Sequence, residues 1–216
     1  YGTARPNIIT LENSFHGRTI ATLAATGQTA MHRHFGPFPD GFRYAPAGDA
    51  AALERLFDGT VCGMLIELVQ GEGGVNVLDP GYVRAVERLC RENDALFMID
   101  EVQTGNGRTG TLYAYQGYGV EPDVVTTAKG LAGGLPIGAT LLGARAADVL
   151  KSGDHGSTFG GNPVCAAAAL SILDRIDEAL LADVRKKGAY LKETLSAAAG
   201  VKSVTGLGLR LVVEAE

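Results

Sequence analysis

The sequence predicts an α/β protein with a mostly parallel, doubly wound sheet, and three observations support this fold class. Short apolar runs alternate with longer amphipathic segments through most of the 216 residues. Several of these runs are rich in β-branched residues and bounded by turn residues, as is typical of buried parallel strands. Two of the runs lead directly into a charged residue, Asp100 and Lys129. Charged residues at strand ends match the ligand-binding edge of open α/β sheets.

The first half of the chain is predicted to contain three strands and two helices. Helix 50–57 has Leu53, Leu56 and Phe57 on one face, and Asp49 is its expected N-cap. Helix 80–93 carries an apolar stripe and begins with Pro80, which suits a first turn. The remaining predicted elements are strands 8–11, 42–45 and 61–69.

The second half continues the alternation and then changes character. Its predicted elements are strands 96–99, 124–127 and 137–142 and an Ala-rich helix from Pro163 to about Asp174. After Asp177 the density of charged residues rises, which indicates a solvated helix. We therefore expect residues 1–176 to form most of a large domain and residues 177–216 to begin a small α+β domain.

Composition excludes several classes of protein. Hydrophobic residues make up 46% and charged residues 20%, so a packed core is feasible. The net charge of −5 gives no sign of nucleic-acid binding, and no apolar run is long enough to span a membrane. Cys62, Cys90 and Cys165 have no metal-ligand spacing, and unpaired thiols favour the cytoplasm. Because the chain starts without Met and ends within a strand-like run, we expect a fragment of a longer polypeptide.

Asp100 and Lys129 are the strongest candidates for chemistry. A lysine at this edge can form a Schiff base, and a carboxylate can pair with a protonated ring nitrogen of the same heteroaromatic cofactor. Gln103 is placed to reach another polar atom of that ligand. The alternatives are a solvent-facing lysine and an aspartate that caps the following loop.

Glycine-rich and hydroxyl-rich segments give further candidates. Residues 105–110 match the spacing G-x-G-x-x-G, but four residues separate the strand from the first glycine and no clean helix follows. A nicotinamide site is therefore a minor alternative.

Residues 156–163, which include Ser157 and Thr158, precede the Ala-rich helix and could bind phosphate near its N-terminus or simply cap it. In residues 15–19, Phe15 could stack on a cofactor and Arg18 could clamp a carboxylate, whereas the isolated motif favours a core ring and a surface ion pair. We interpret His16 as structural.

Together these segments resemble the class III pyridoxal-phosphate aminotransferases, most closely the acetylornithine and ornithine aminotransferase branch. The matching blocks, in order, are residues 15–19, 69–74, 100–105, 127–130 and 156–163. The resemblance implies the large domain of the fold-type I transferases and pyridoxal 5'-phosphate (PLP) as cofactor.

The resemblance also implies roles for individual residues. Lys129 is the Schiff-base lysine and general base, and Asp100 is the partner of the ring nitrogen. By the same resemblance, Gln103 contacts the ring hydroxyl, and Phe15 and Val102 pack on the two ring faces. Thr158 and Ser157 bind the cofactor phosphate of a neighbouring subunit. Arg18 binds the substrate α-carboxylate, and Glu72 gates a second arginine beyond residue 216. A homodimer with a shared active site follows.

The implied reaction transfers the terminal amine of N-acetylornithine, ornithine, 4-aminobutyrate or a related ω-amine to a 2-oxo acid, which is 2-oxoglutarate by resemblance. Two departures affect it: the family extends past both ends of this chain, and Thr205 stands where the family usually has Arg. The isolated 216 residues are therefore expected to have weak or no activity. A non-catalytic fragment and a nicotinamide-binding oxidoreductase are the alternatives.

Overall fold

A computed structural model of the protein describes residues 5–215 and contains ten strands in that range. In chain order they are β1 (Asn7–Leu11), β2 (Phe42–Ala45), β3 (Val61–Ile66), β4 (Val69–Gln70), β5 (Asn76–Val77), β6 (Leu96–Asp100), β7 (Val124–Thr127), β8 (Ala139–Leu142), β9 (Val201–Leu207) and β10 (Arg210–Ala215). The central sheet has the order β2-β1-β3-β6-β7-β8. All its neighbours are parallel except β7 and β8, which are antiparallel.

Seven α-helices accompany these strands within the described residues. They are α1 (Ile20–Ala25), α2 (Thr29–His32), α3 (Ala50–Glu54), α4 (Pro80–Glu92), α5 (Tyr115–Tyr118), α6 (Pro163–Leu173) and α7 (Glu178–Ser196). A 3-10 turn covers Lys129–Ala132. No helix among residues 5–215 combines the length and apolarity needed to cross a membrane.

The main core lies between the sheet and helix α4. Helix α4 begins where the sequence predicts, because the Asp79 carboxylate accepts a hydrogen bond from the Tyr82 amide at 3.0 Å and Pro80 occupies the first turn. Its apolar stripe packs on buried residues of the central strands, and the fully buried members include Ile9, Met64, Val83, Val86, Phe97 and Ile99. This packing fixes the strand ends from which the polar loops emerge.

The mostly parallel α/β fold is confirmed, while three predicted elements are wrong in extent. Strand 61–69 ends at Ile66, because the chain leaves the sheet there and Val69–Gln70 pairs with β5 in a separate hairpin. Helix 50–57 ends at Glu54, although Asp49 caps it as predicted. Strand 137–142 begins at Ala139, where pairing with Thr127 starts.

The C-terminal part combines helix α7 with the antiparallel β9–β10 hairpin. Gly188 of α7 faces Gly208 so closely that a Cβ on Gly188 would overlap the Gly208 carbonyl. At the same end of the hairpin the Leu209 amide donates to the Arg108 carbonyl at 3.0 Å. The hairpin is thereby anchored against the loop that follows β6. The domain boundary at residue 176 stays a prediction; residues 174–177 join α6 to α7.

Candidate active site

Asp100 and Lys129 belong to neighbouring strands at the same edge of the sheet. Asp100 is the last residue of β6, and its register partner on β7 is Thr126. Lys129 follows two residues after the end of β7. Because β6 and β7 are parallel, both charged residues emerge at the carboxyl edge. The sequence-predicted pair is therefore brought together on the ligand-binding side of the fold.

The backbone at Lys129 is held in an uncommon conformation. Its φ of 45° lies in the left-handed region, which is sparsely populated by non-glycine residues. The Asn106 side-chain amide donates to the Ala128 carbonyl and to the Thr127 hydroxyl, both at 3.1 Å. These two bonds tie the residues preceding Lys129 to the loop after β6, which fixes where the lysine side chain begins.

The Lys129 amine is available for reaction. Among residues 5–215 it makes no side-chain hydrogen bond and no ion pair within 4 Å. Desolvation lowers the pKa of Lys129, while the negative charges of Asp100, Glu72 and Glu67 oppose that change. A lowered pKa increases the neutral, nucleophilic fraction of the amine at neutral pH.

The Asp100 carboxylate is nearly buried and has partners on both oxygens. Oδ2 lies 2.9 Å from His16 Nδ1. Oδ1 accepts from the Val102 amide at 3.1 Å and from the Thr126 hydroxyl at 3.2 Å. Donors to both oxygens orient the carboxylate and compensate for its burial.

Glu67 forms a buried link between two loops of the site. Its carboxylate accepts from the Phe15 amide at 2.8 Å and from the Gly71 amide at 3.4 Å. Burial raises the pKa of Glu67 to about 7, partly offset by the Phe15 hydrogen bond and the charge of His16. The link holds the loop that carries Phe15 and Arg18 against the loop that carries Glu72.

Next to these groups is an open cavity of about 400 Å³. Its lining includes Lys129 and three other residues selected from the sequence, Glu72, Val102 and Gln103. The Gln103 side-chain amide donates to Glu72 Oε1 at 3.1 Å. The rest of the lining comprises Gly105, Asn106, Arg108, Gly130, Leu209 and Arg210. A nucleophilic amine and polar side chains thus share one concave, solvent-accessible space, which suits a ligand site.

Five other sequence-predicted residues do not line this cavity, and one of them is Asp100, whose contacts are given above. Phe15 is half-buried and Arg18 is exposed, with its guanidinium carbon 5.2 Å from the centre of the Phe15 ring. Ser157 and Thr158 lie in an exposed segment before α6. Their predicted role concerns a neighbouring subunit, so it stays a prediction, as do the roles of Phe15 and Arg18.

Sequence reasoning missed three residues at this edge, Glu67, Asn106 and Arg210, whereas His16, interpreted as structural, contacts Asp100. A glutamate that ends an apolar run, as Glu67 does after residues 61–66, was an available signal because such a carboxylate must be satisfied. Asn106 and Arg210 carry no comparable signal in sequence, since their positions depend on loop and hairpin docking. The G-x-G-x-x-G residues 105–110 form consecutive turns, with no strand–helix junction of the nicotinamide type.

Residues 2–216 match the sequence profile of the family described as Aminotransferase class-III. The chain is 54% identical over 215 residues to the acetylornithine aminotransferase of Haemophilus ducreyi, covering 99% of this chain and 55% of that protein. It is 48% identical to the acetylornithine aminotransferase of Caldanaerobacter subterraneus, covering all of this chain and 56% of that protein. The chain therefore spans about half the length of the curated relatives it matches.

A solved structure gives the same picture of the fold. An ornithine aminotransferase from Toxoplasma gondii, in which PLP partly occupies the active site, superposes with a TM-score of 0.88 at 39% identity. The match covers 97% of this chain and 51% of that one. These comparisons do not favour a nicotinamide-binding site or a non-catalytic chain.

Proposed function

The chain belongs to the class-III aminotransferase family, and we propose that it transfers the terminal amine of N-acetylornithine or ornithine to 2-oxoglutarate with PLP as cofactor. The products are a semialdehyde and glutamate. The observation that carries this proposal is the Asp100–Lys129 arrangement at the carboxyl edge of β6 and β7. N-acetylornithine is the first choice of donor because the relatives described above are acetylornithine aminotransferases.

The donor set fits PLP. An aldehyde reacts with the neutral form of an amine. Burial lowers the pKa of Lys129, and its side chain has no hydrogen-bond or ion-pair partner among residues 5–215. A pyridine nitrogen needs an oriented carboxylate, and the partners of Asp100 hold it in place. When bound, PLP supplies an aldehyde for the substrate amine and a ring that accepts electrons from the substrate carbon.

Each residue then has a defined task. The Lys129 amine would hold the cofactor. As a free amine it would take a proton from the substrate carbon as general base and deliver that proton to the cofactor as general acid. Asp100 keeps the ring nitrogen protonated, and Gln103 contacts the ring hydroxyl. Phe15 and Val102 pack on the two faces of the ring.

The remaining site residues are assigned to substrate and phosphate. Arg18 binds the α-carboxylate of the donor, and Glu72 gates a second arginine that binds a carboxylate. Ser157 and Thr158 bind the cofactor phosphate of a neighbouring subunit, which makes a homodimer the functional unit. The exposure of both hydroxyl residues supports a role between subunits.

We place the protein in the cytoplasm on the basis of its cysteines. Cys62, Cys90 and Cys165 are all free thiols in the described part of the chain. Unpaired thiols persist in reducing compartments. Redox-sensitive labelling of the protein in intact cells tests this location, and stable disulfide-linked species would contradict it.

A transamination assay tests the proposed reaction. The purified protein with PLP is given 2-oxoglutarate and, in turn, N-acetylornithine, ornithine and 4-aminobutyrate, and glutamate formation is measured. Asp100→Asn should lower kcat by about 10²–10⁴-fold with a smaller change in KM. Asp40→Asn, at an exposed position, is the matched control and should leave turnover unchanged. Failure of the protein to bind PLP, or equal turnover by Asp100→Asn and the wild type, would contradict the assignment.

A further inference from the structure

Arg210 reaches the cavity from an unexpected part of the chain. It is the first residue of β10, in the C-terminal hairpin, yet it lines the same space as Lys129. Its Nη2 donates to the Gly71 carbonyl at 3.0 Å. A Cβ on Gly71 would collide with Gln103 and lie 2.8 Å from Arg210 Nη2, so glycine at this position permits the close approach.

The guanidinium has capacity for a ligand. Among the described residues, Arg210 has no carboxylate within 4 Å, and its only side-chain hydrogen bond is the one to Gly71. Its Nε is shielded from solvent and has no hydrogen-bond partner in residues 5–215. Most of its donors therefore have no protein acceptor, although a guanidinium is well suited to binding two oxygens of a carboxylate.

The charges lining the cavity favour an anionic ligand. Arg108, Lys129 and Arg210 are basic, and Glu72 is the one acidic residue in the lining. Arg108 is exposed and, within residues 5–215, forms no ion pair through its side chain. If the Lys129 amine is bonded to a cofactor, the lining still has the guanidinium groups of Arg108 and Arg210 against the single carboxylate of Glu72. Such an excess attracts negatively charged ligands and strengthens their binding in a partly enclosed space.

We propose that Arg210 is a specificity-determining residue that binds the carboxylate of the substrate at the end remote from the reacting group. This inference rests on the proposed function and names a dicarboxylic 2-oxo acid, or the glutamate formed from it, as the ligand. Because the Gly71 carbonyl and the docked hairpin hold Arg210 without an ion pair to Glu72 in the described residues, the site selects acidic over neutral acceptors.

Calorimetry with unreactive acids tests the proposal without relying on turnover. Glutarate, a five-carbon dicarboxylate, is compared with pentanoate, a monocarboxylate of the same length, in the presence and absence of PLP. The wild-type protein should prefer glutarate. Arg210→Gln keeps an N–H donor for Gly71 but removes the charge, and it should weaken glutarate binding by about 10–100-fold while changing pentanoate binding little. Arg210→Lys should retain part of the preference.

One control variant and three possible results separate the interpretations. Arg88→Gln removes the same charge from the exposed face of α4 and should leave the preference intact. A preference unchanged in Arg210→Gln would overturn the proposal. A fall in PLP affinity relative to pyridoxal, with the glutarate preference unchanged, would assign Arg210 to the cofactor phosphate and also overturn it. Failure of the wild-type protein to bind PLP would count against the proposed function, whereas the cofactor-free titrations still measure the role of Arg210.

Discussion

His16 Nδ1 lies 2.9 Å from Asp100 Oδ2, and the side chains of the two residues are only 2% and 10% exposed. His16 comes from the loop after β1, whereas Asp100 ends β6, so the contact joins loops 84 residues apart in sequence. An ionised carboxylate accepts but does not donate, and Nδ1 then carries the hydrogen. The pair holds the Asp100 carboxylate at the edge where Lys129 emerges.

Loss of this pairing should destabilise the protein. His16→Ala leaves Asp100 Oδ2 without its partner in a buried environment, and we expect the free energy of unfolding to fall by about 1–3 kcal/mol. Urea unfolding without cofactor measures the change. His34→Ala, at an exposed position, is the control and should change stability by less than about 0.5 kcal/mol. Equal effects of the two substitutions would show that the pair has no structural role.

Glu67 should make stability depend on pH. Its pKa is about 7 in the folded protein, against an ordinary value of 4.5. Between these values the native state holds a proton that the unfolded chain has released, so stability should fall as pH rises through this window. His16 and Asp100 are the titratable groups that face it. Glu67→Gln removes the ionisation and should gain roughly 1–3 kcal/mol over wild type between pH 5 and pH 8.

Chemical unfolding at the two pH values checks the Glu67 prediction. Glu54→Gln, an exposed glutamate on α3, should follow the wild-type pH dependence. Parallel stability curves for Glu67→Gln and wild type across this range would mean that Glu67 is ionised throughout.

Asp123 should be important for the stability of the sheet. Asp123 is buried, and its carboxylate oxygens lie 2.6 Å from Arg91 Nη1 and 3.0 Å from Arg145 Nη1. The carboxylate also accepts a hydrogen bond from the Phe97 amide at 2.8 Å. Removal of a buried ion-pair partner costs about 3–5 kcal/mol, and partial exposure of both arginines places Asp123→Ala near the lower value.

Thermal and urea unfolding measure this effect. Asp183→Ala breaks an exposed pair with Lys187 on α7 and is the matched control, with an expected cost of at most about 1 kcal/mol. If the two variants proved equally stable, the Asp123 cluster would be no stronger than a surface pair.

Docking of the C-terminal hairpin depends on Gly188. A Cβ there would overlap the Gly208 carbonyl, so Gly188→Ala must displace α7 from the hairpin that carries Arg210. We expect a loss of about 1–3 kcal/mol in unfolding free energy. Gly117→Ala is the control, because a Cβ at Gly117 has nothing within 4 Å. Faster hydrogen exchange in β9 and β10 of Gly188→Ala alone would locate the damage, and unchanged exchange would contradict the packing argument.

The sequence predicted the fold well where local signals were strong. Pro80 and an apolar stripe identified helix α4, and the alternation of apolar runs identified the central strands. It failed where a run bends out of the sheet, because Val69 is as apolar as the strand before it but pairs with Val77 in a separate hairpin. Asp100 and Lys129 could be selected because both follow apolar runs. His16, Asn106 and Arg210 act through contacts between distant segments, which residue spacing does not encode.

The chemical identity of the reactive amine is the central claim, and the position of a trapped cofactor tests it most directly. The protein is incubated with PLP and reduced with borohydride, and its peptides are analysed by mass spectrometry. The label should be found on Lys129 and be absent from Lys129→Ala, which should also lose the visible absorption of the bound cofactor. Label on exposed lysines such as Lys151 or Lys202, with Lys129 unmodified, would contradict the assignment.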